Sequence, residues 1–390
     1  MNSVASLGVV VLTPWYGGDG GGVAVITEAL VHAMVGEGIR CTVIEVVGDG
    51  WRPSIRYGGA GEPIISLCAR GASANASFPT RAAAAVRARI ARGVFRRLVQ
   101  EDGYSVAHFH YALPEYQGLG AAAHDAGLRL ITTFHGSDLS INMDIPETRR
   151  ATEHLLETVA CATTVSRALC KDLIALFPSI GTRTRVIHNP IPPSFVHAVA
   201  KRSTETERDV DVLFVGNLIH RKGVDVLLNA LASLRHLPYD QAPPRVVIVG
   251  DGAERPALET LATTLGIGDI VTFQGRQGRE VLPGWYSRAK VVVVPSRAEP
   301  LGVVALEAQL SGACVIASDV GGLPEIVADG VNGALVPPDD PAALAKTLYA
   351  LLTEPTMRSR LAATAMETVA RDFSPSGIVR QYLSIYRPAS

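Results

Sequence analysis

Short runs that are apolar on both faces recur along the chain, and they constrain the fold more than any other feature of the sequence. Each is rich in β-branched residues and precedes a Gly-rich turn and an Ala/Leu-rich segment. The clear runs are residues 8–12, 41–47, 130–133, 212–215, 246–249, 270–273, 291–294 and 314–317. Such runs, alternating with helices, are typical of parallel sheets covered on both sides. The sequence therefore predicts an α/β protein with doubly wound sheets.

A break in this pattern predicts the domain organisation. Between Asn189 and Asp211 the chain has three prolines and then a charged stretch without periodicity, which is typical of a linker. A strand, a glycine turn and a helix are predicted both at the N-terminus and after the break, and 390 residues exceed one compact core. We expect domains at 1–195 and 209–373. A helix is expected at 374–390. It would pack on either domain, and in one alternative it crosses back to the first domain.

Composition indicates a globular protein without a global electrostatic field. Hydrophobic residues make up 47% of the chain, charged residues 19%, and the net charge is −1, so nucleic acid is not an expected partner. The cysteine number is odd, at five, and no C-x-x-C spacing occurs, which indicates a reducing compartment. The N-terminus lacks the basic region of a signal peptide. We expect a cytoplasmic protein, with the inner face of the membrane as the alternative.

The strongest chemical pattern is the stretch from Pro295 to Ala308, which follows the run 291–294. It therefore lies at the carboxyl end of a strand, where open sheets bind ligands. Gly302 allows a close backbone approach, and free amides at a helix start favour an anion such as a diphosphate. Glu299 lies in the loop and Glu307 about two turns inside the helix. We expect one carboxylate to bind a sugar hydroxyl and the other a ribose.

A second pattern, Gly216-Asn217-Leu-Ile-His-Arg221-Lys222-Gly, follows the run 212–215. Cations beside a glycine turn at a sheet edge can neutralise charge on a leaving diphosphate. A solvated basic turn is the structural alternative. Gly-rich loops also follow the runs 246–249 and 314–317, so all these loops are expected to converge on one edge of one sheet.

Two loops in the first half carry weaker patterns. One contains Gly20, Gly21 and Gly22 but has no G-x-G-x-x-G register, and we interpret it as a mobile loop that closes over a ligand. The other places His135, Gly136 and Asp138 directly after the run 130–133. An imidazole and a carboxylate at a sheet rim favour function, although a histidine at a strand end is often structural.

His108 and His110 are two residues apart, so on a strand they share one face. They are candidates to line an acceptor pocket. No carboxylate ligand accompanies them, so no metal site is expected there. Asp209-Val-Asp211 matches the short D-x-D pattern of metal-dependent sugar transferases. It precedes a strand, which is the wrong end for a ligand site, and we interpret the match as chance.

The arginine-rich segment from Arg81 to Gln100 predicts an amphipathic helix. One side carries arginines and the opposite side Val86, Ile90, Val94 and Leu98. A solvated basic face is the favoured interpretation, and a peripheral contact with anionic lipid is the alternative. The arginines on the basic side are Arg81, Arg89, Arg92 and Arg96.

Taken together, these patterns resemble glycosyltransferase family 4, the retaining enzymes of the GT-B fold, in which two Rossmann-like domains face a cleft. The resemblance extends from about Gly17 to Glu325, and its strings occur in the family's order. The most specific is the E-x7-E string with its GG-x-PE sequel. The matching strings are GGDGGGVAV, HGSD, VSRALCKDL, VIHNPI, FVGNLIHRKG, VIVGDG and EPLGVVALEAQLSGACVIASDVGGLPEIV.

The resemblance implies a nucleotide-diphosphate-sugar donor held chiefly by the second domain. Glu307 would hold the ribose, Glu299 the donor sugar, and Lys222 would counter the leaving diphosphate without a metal. The transition state would be oxocarbenium-like, with attack on the same face and no protein nucleophile. The remaining implied contacts are the amides of Leu301, Gly302 and Val303 at the phosphates, Gly275, Arg276 and Gln277 at the base, and His135 and Asp138 at the donor sugar.

One position departs from the family pattern. The family commonly has an arginine where this chain has Asn217, paired with the lysine near the K-G dipeptide. Either Arg221 replaces it or the donor phosphate is held with less charge.

Three functions are compatible with the residues. The first is a transferase that uses no cofactor and delivers the sugar to a lipid-linked, polysaccharide or small-molecule acceptor. The second is a GT-B epimerase or phosphorylase, although E-x7-E argues against the former and no lysine has a pyridoxal-phosphate context. The third is a nucleotide-sugar-binding protein without turnover.

Overall fold

The computed structural model describes residues 7–17, 21–47, 52–69, 77–101, 103–140, 142–201, 207–234 and 242–387. The strands are β1 (Gly8–Thr13), β2 (Arg40–Val47), β3 (Ser54–Tyr57), β4 (Pro63–Cys68), β5 (Val106–His110), β6 (Arg129–Phe134), β7 (Cys161–Thr164), β8 (Thr184–Val186), β9 (Val210–Val215), β10 (Val246–Val249), β11 (Val271–Gly275), β12 (Ala289–Val294), β13 (Cys314–Ser318) and β14 (Ala334–Val336).

The helices alternate with these strands. They are α1 (Gly21–Gly36), α2 (Phe78–Glu101), α3 (Gln117–Asp125), α4 (Ser137–Ser140), α5 (Pro146–Thr158), α6 (Arg167–Leu176), α7 (Pro193–Ala200), α8 (Val224–Leu234), α9 (Arg255–Thr264), α10 (Leu282–Arg288), α11 (Val303–Leu310), α12 (Pro341–Thr353), α13 (Pro355–Asp372) and α14 (Pro375–Tyr386).

The chain divides into two compact units. Unit 1 comprises Met1–Pro193 and Pro375–Ser390, and unit 2 comprises Ser194–Ser374. The sequence predicts a first domain ending at residue 195, and unit 1 ends two residues earlier. The C-terminal helix α14 returns to unit 1, where it packs against α1.

Both units contain a mostly parallel sheet. In unit 1 the strand order is β3-β4-β2-β1-β5-β6-β7-β8, with β3 antiparallel to β4. In unit 2 the order is β11-β10-β9-β12-β13-β14, and the strand pairs are parallel. The predicted α/β class with doubly wound sheets is thus confirmed. All eight predicted runs are strands, and their ends differ from the observed ends by at most two residues.

Each sheet is buried because its central strands are apolar on both faces. In unit 2, Val212 pairs with Val246 on one side and with Val291 on the other, and all three are fully buried. In unit 1, Val9 and Val11 of β1 belong to a buried cluster that includes Tyr382 and Tyr386 of α14. The last helix therefore completes the core of the first unit.

The strand order creates one reversal of winding direction in each unit. In unit 2, successive strands run outward from β9 on one side and from β12 on the other. In unit 1 the same reversal lies between β1 and β5. Loops that leave neighbouring strands in opposite directions open a crevice at their carboxyl ends, where ligands bind in such sheets. The loops after β9 and β12 carry Lys222 and Glu299.

Three local predictions need correction or gain an explanation. The stretch predicted to be an irregular linker contains helix α7, because Phe195 buries its ring against Tyr286 in unit 2. Residues 202–206 of that stretch lie outside the described residues.

Asp209 and Asp211 form ion pairs with basic residues at the start of neighbouring strands, so the D-x-D match is structural. Their partners are Arg245, Arg288 and Lys290.

The buried face of α2 also differs from the predicted one. Val86 and Ile90 were expected on the apolar side, yet they are 51% and 41% exposed. The buried stripe instead passes through the small and aromatic side chains Ala84, Ala91, Phe95 and Val99. Alanines allow the helix to lie close to its neighbours. The packing of Phe95 and Val99 then decides which face of α2 is buried. The exposed face is consequently a mixture of arginines and apolar side chains.

Candidate active site

The loops at the carboxyl edge of the unit 2 sheet are in close contact through glycines. The amide of Gly250 donates to the carbonyl of Gly275 over 2.9 Å, and the amide of Gly216 donates to that of Val249 over 3.0 Å. A Cβ at Gly250 would lie 1.8 Å from the Gly216 carbonyl oxygen. Only glycine permits this approach, so the loops after β9, β10 and β11 are fixed to one another.

Two more glycines join the loops after β9, β12 and β13. A Cβ at Gly223 would lie 2.0 Å from the carbonyl oxygen of Pro295, and one at Gly321 would lie 2.0 Å from that of Glu299. Both glycines have positive φ, +65° and +56°. The amide of Gly322 also donates to the Glu299 carbonyl over 3.0 Å. The predicted convergence of loops on one sheet edge is confirmed.

Lys222 and Glu299 meet at this edge. The Lys222 Nζ donates to Glu299 Oε2 over 2.5 Å, and the two side chains are 18% and 11% exposed. The hydroxyl of Ser296 donates to the same carboxylate oxygen over 3.3 Å. An ammonium has three donors, so after one bond to Glu299 further donors remain for a ligand.

The start of α11 lies directly beside this ion pair. Gly302 precedes the helix with φ +103°, and a Cβ at that position would lie 2.5 Å from Leu323 Cδ2 and 3.6 Å from Glu299 Cγ. The first amides of a helix have no partner within the helix and carry a partial positive charge. The stretch from Leu301 to Val303 therefore presents anion-binding groups next to Lys222 and Glu299.

Glu307 lies one turn inside α11, rather than the predicted two turns, because the helix begins at Val303. The residue is 4% exposed, and its carboxylate accepts a bond from the Tyr286 hydroxyl over 2.9 Å. The guanidinium of Arg279 approaches it to 3.8 Å. Burial raises the pKa of Glu307, and the Arg279 charge and the Tyr286 bond oppose that shift. Tyr286 and Arg279 were missed because nothing in their local sequence signals the contact.

Most of the remaining polar groups predicted on the donor side are exposed. The backbone carbonyl of Arg221 accepts from the Arg297 amide over 2.8 Å, and within the described ranges no partner is recorded for the Arg221 guanidinium. Asn217 and Arg276 are also exposed, and Gln277 donates to the Gln274 carbonyl over 3.1 Å. Arg221 is therefore a cation near the lysine whose charge is not neutralised by a recorded ion pair.

In unit 1, His135 follows β6 and is 7% exposed. Its Nε2 lies 2.9 Å from Nδ1 of His110, which is 1% exposed. Burial lowers the pKa of His135 to about 3, so the imidazole is neutral at pH 7. The structure brings together these two predicted residues, whereas His108 binds Tyr386 and Thr133 instead.

Asp138 shapes the loop that carries His135. Its carboxylate accepts bonds from the amides of His135, Gly136 and Leu139 at distances between 2.7 and 3.2 Å, and the residue is 1% exposed. Burial raises its pKa to about 6, against the effect of those amides. The carboxylate is thus occupied by the backbone at the start of α4 and is enclosed away from the surface.

Tyr111 is a further residue at this site that sequence reasoning missed. It follows His110 with φ +72°, a conformation that is rare for a bulky side chain and that clusters at functional sites. Its ring lies 5.6 Å from that of His135, and its hydroxyl lies 3.0 Å from Ser137 Oγ. The predicted loop residue Gly20 lies outside the described residues, while Gly21 and Gly22 form the first turn of α1.

Comparison with known proteins identifies the class. The model of "Glycosyl transferases group 1" matches residues 198–368, and that of "Glycosyltransferase Family 4" matches residues 20–195. HepE from Anabaena, crystallised in complex with UDP, superimposes with a TM-score of 0.73 at 19% identity, over 97% of this chain and 98% of that one. The two units therefore have the fold of GT-B glycosyltransferases.

Relatives establish the family. D-inositol 3-phosphate glycosyltransferase 1 from Catenulispora acidiphila is 34% identical over 306 residues, which cover 73% of this chain and 72% of that protein. The D-inositol 3-phosphate glycosyltransferase of Frankia alni is 47% identical over 190 residues, 47% of this chain and 46% of that relative. The chain belongs to glycosyltransferase family 4. It is a glycosyltransferase.

Proposed function

We propose that unit 2 binds the nucleotide diphosphate sugar at the Lys222–Glu299 ion pair and that the glycosyl group is transferred with retention. The observation that carries this proposal is the 2.5 Å contact between the two side chains, beside Gly302 and at the reversal between β9 and β12. A cation, a carboxylate and free amides within one crevice match a ligand that joins a diphosphate to a sugar.

In the proposed reaction, the bond between the anomeric carbon and the diphosphate oxygen breaks, and the leaving diphosphate takes the electron pair. Lys222 and the amides at Leu301 to Val303 stabilise that developing charge. The acceptor hydroxyl forms the new bond on the same face, and its proton passes to the departing phosphate oxygen. No metal or protein nucleophile is required, so chelation of divalent cations with EDTA should leave turnover unchanged.

Two carboxylates would orient the donor. Glu299 accepts hydrogen bonds from sugar hydroxyls, and Glu307 accepts from the ribose. Tyr286 supports this role of Glu307 because its hydroxyl occupies one carboxylate oxygen and fixes the side chain. Gly275, Arg276 and Gln277, which follow β11, would border the base.

A thermal-shift screen with nucleoside diphosphates tests donor binding and identifies the base. A ligand at 100 times its Kd stabilises its protein by about 2.7 kcal/mol. The nucleoside diphosphate that binds most tightly should therefore raise Tm more than the others. Release of nucleoside diphosphate from the matching nucleotide sugar, with and without acceptors, then separates transfer from binding alone. Undiminished turnover in the Lys222→Ala/Glu299→Ala double variant would refute the assignment.

For the acceptor, we propose a small phosphorylated polyol. The support is that relatives at 34% identity over about three quarters of both chains are named for D-inositol 3-phosphate. A panel of inositol phosphates, free inositol and simple sugars tests this, with radiolabel transferred from the donor as the readout. Transfer to free inositol at an undiminished kcat/KM would contradict the need for the phosphate.

A lipid-linked acceptor with peripheral membrane contact is a second candidate, and one observation favours it. The exposed face of α2 combines arginines with Phe78, Val86 and Ile90, which are 76%, 51% and 41% exposed. In the part of the chain that the structure describes, no helix is long and apolar enough to span a bilayer. Sedimentation with phosphatidylglycerol vesicles, compared with phosphatidylcholine vesicles and with a Val86→Ser/Ile90→Ser variant, tests this contact. Absence of binding to the anionic vesicles would exclude it.

A further inference from the structure

Arg297 contacts the segments that carry both partners of the Lys222–Glu299 ion pair. It belongs to the loop after β12, two residues before Glu299, and its side chain is only 18% exposed. A guanidinium enclosed to this extent needs partners for its charge and for its N–H groups. The contacts of Arg297 therefore show which segments of unit 2 this loop is tied to.

The side chain of Arg297 binds two carboxylates and one carbonyl. Nη1 and Nη2 donate to the two carboxylate oxygens of Asp225 over 2.9 and 2.7 Å, which is the bidentate arrangement. Nε donates to Asp339 over 2.7 Å, and Nη1 also donates to the His220 carbonyl over 2.7 Å. The hydrogen bonds from Arg297 lower the pKa of the Asp225 carboxyl, so this ion pair is charged at pH 7.

Arg297 acts directly on the turn that carries Lys222. Residues His220–Lys222 form a single 3₁₀ turn. The His220 carbonyl accepts from the Arg297 side chain over 2.7 Å, and the Arg221 carbonyl accepts from the Arg297 amide over 2.8 Å. These are the two peptide carbonyls that precede Lys222, and the second belongs to the peptide that Arg221 and Lys222 share. The position of the Lys222 backbone therefore depends on Arg297.

The charge around Arg297 argues against a direct role in binding the diphosphate. Asp225 and Asp339 outweigh the single positive charge of the guanidinium, so the cluster is net negative. Bonds to these carboxylates and to His220 also use four of the five N–H groups of the guanidinium. A diphosphate is repelled by such a cluster, so any effect of Arg297 on turnover must pass through another residue.

We infer that Arg297 is a positioning residue that holds Lys222 against Glu299. Its side chain fixes the turn that carries the lysine, and its backbone leads into the loop that carries the carboxylate. The consequence for turnover rests on the proposed function, in which Lys222 stabilises negative charge on the leaving diphosphate. A displacement of about 1 Å at such a group can lower a rate about 100-fold.

Removal of the guanidinium should lower kcat through the lysine. Arg297→Met keeps an unbranched side chain but loses all the bonds of the guanidinium. We expect kcat to fall by about 10- to 100-fold with donor KM changed less than about threefold, because the lysine acts on charge that develops in the chemical step. Steady-state kinetics measure both constants. An unchanged kcat in the folded variant would overturn the inference.

A double-mutant cycle separates this effect from a general loss of stability. In a Lys222→Met background the lysine is absent, so its position no longer affects the rate. Adding Arg297→Met to that background should change kcat by less than about twofold. Equal losses of kcat with and without the lysine would show that Arg297 does not act through it, and would overturn the inference.

Arg288→Met is the matched control. Arg288 also forms a bidentate pair, with Asp209 over 2.7 and 2.6 Å, but it directly precedes β12 and so lies at the opposite edge of the sheet. Its removal should lower Tm, as Arg297→Met does, while kcat stays within about twofold. An equal fall of kcat in both variants would overturn the inference. If Arg297→Met does not fold, Asp225→Asn carries the same test, because it removes the charge of the carboxylate and keeps its size.

Crystal structures of the two arginine variants provide a readout that is independent of turnover. The contact between Lys222 Nζ and Glu299 Oε2, 2.5 Å in the unsubstituted chain, should be lost in Arg297→Met and kept in Arg288→Met. An intact contact in Arg297→Met would overturn the inference. Loss of the contact, together with no transfer from any nucleotide sugar by the unsubstituted enzyme, would support the inference and refute the proposed function alone.

Discussion

At the residue scale, the ion pair between Lys222 and Glu299 decides how charge is distributed at the donor site. The two charges cancel, and both side chains are less than a fifth exposed. A diphosphate that binds there needs positive charge beyond this pair, which the amides at Leu301 to Val303 supply in part. This chain has Asn217 where the family commonly has an arginine, so another group must supply the remaining positive charge.

Removal of the lysine should affect the chemical step more than donor binding. We expect Lys222→Met to lower kcat by about 10²–10³, the effect of removing one group that stabilises developing negative charge. Glu299→Gln keeps the side-chain shape and should raise donor KM more than it lowers kcat, because a sugar hydroxyl loses a charged acceptor. Steady-state kinetics with the donor selected by the thermal-shift screen measure both effects. Equal changes in both variants would show that the pair acts only as a structural link.

Arg221 is the candidate for the missing cation. If it replaces the family arginine, Arg221→Met should weaken nucleoside diphosphate binding by about 10- to 100-fold, the contribution of one charged hydrogen bond. If the phosphate is instead held with less charge, Arg221→Met should be neutral and Asn217→Arg should strengthen binding. Titration calorimetry at two salt concentrations distinguishes these outcomes. As a control, Arg297→Met removes a guanidinium that Asp225 and Asp339 already neutralise, and it should alter stability rather than salt dependence.

At the element scale, the eight strands that the sequence predicts have residues that are apolar on both faces. β10 is Val-Val-Ile-Val and was placed without error at its ends. β7 is Cys-Ala-Thr-Thr, and all four of its residues are buried. It was missed because its two threonines are polar residues in the sequence, whereas inside a sheet their hydroxyls can form hydrogen bonds. β3 was missed because all of its residues are exposed at the sheet edge. Where the neighbouring strands decide which residues are buried, the local sequence pattern does not reveal it.

The same limit applies to the site. Loops at the carboxyl ends of strands could be predicted to converge because parallel topology requires it. The proximity of Lys222 and Glu299 was expected from that argument and from the family resemblance, whereas their ion pair was not predicted. Contacts such as Tyr286 with Glu307, or His110 with His135, join residues 21 and 25 positions apart whose own segments carry no signal.

A glycine at the junction of the loops after β12 and β13 should be necessary for the site. Gly321→Ala places a Cβ 2.0 Å from the Glu299 carbonyl oxygen at φ +56°. We expect the free energy of unfolding to fall by about 2–5 kcal/mol, because backbone strain and overpacking both act. We also expect nucleotide binding to be lost. Denaturant unfolding and titration calorimetry measure the two effects.

Gly330→Ala is the matched control for this substitution. Its φ is +68°, and no atom lies within 4 Å of the added Cβ. Backbone strain alone should cost about 1–2 kcal/mol and leave nucleotide binding intact. Comparable effects of both substitutions would mean that the close approach at Gly321 does not organise the site.

At the scale of the whole molecule, the two units should differ in their response to acid. His108 and His135 have pKa values lowered to about 3 by burial, so protonation favours the unfolded chain below pH 6.5. Stability is therefore complete above that pH and is lost as pH falls. At pH 5 each histidine should cost unit 1 about 2 kcal/mol, at 1.36 kcal/mol per pKa unit. The raised pKa of Asp138, about 6, opposes part of this loss.

Tryptophan fluorescence can follow this effect in unit 1. Trp285 is the one tryptophan of the sequence in the range of unit 2, so Trp285→Phe leaves Trp15 and Trp51 as the reporters. Urea midpoints of this variant should fall between pH 7 and pH 5, and the added substitution His108→Asn should reduce the fall. A midpoint that is independent of pH in this range would contradict the burial of neutral histidines.

The most direct test is a crystal structure of the full chain with the nucleoside diphosphate that stabilises it most. We predict that the diphosphate contacts the amides at Leu301 to Val303 and the Lys222 ammonium, with the ribose on Glu307. A diphosphate bound elsewhere in unit 2, or in unit 1, with the Lys222–Glu299 pair free of ligand, would contradict the account.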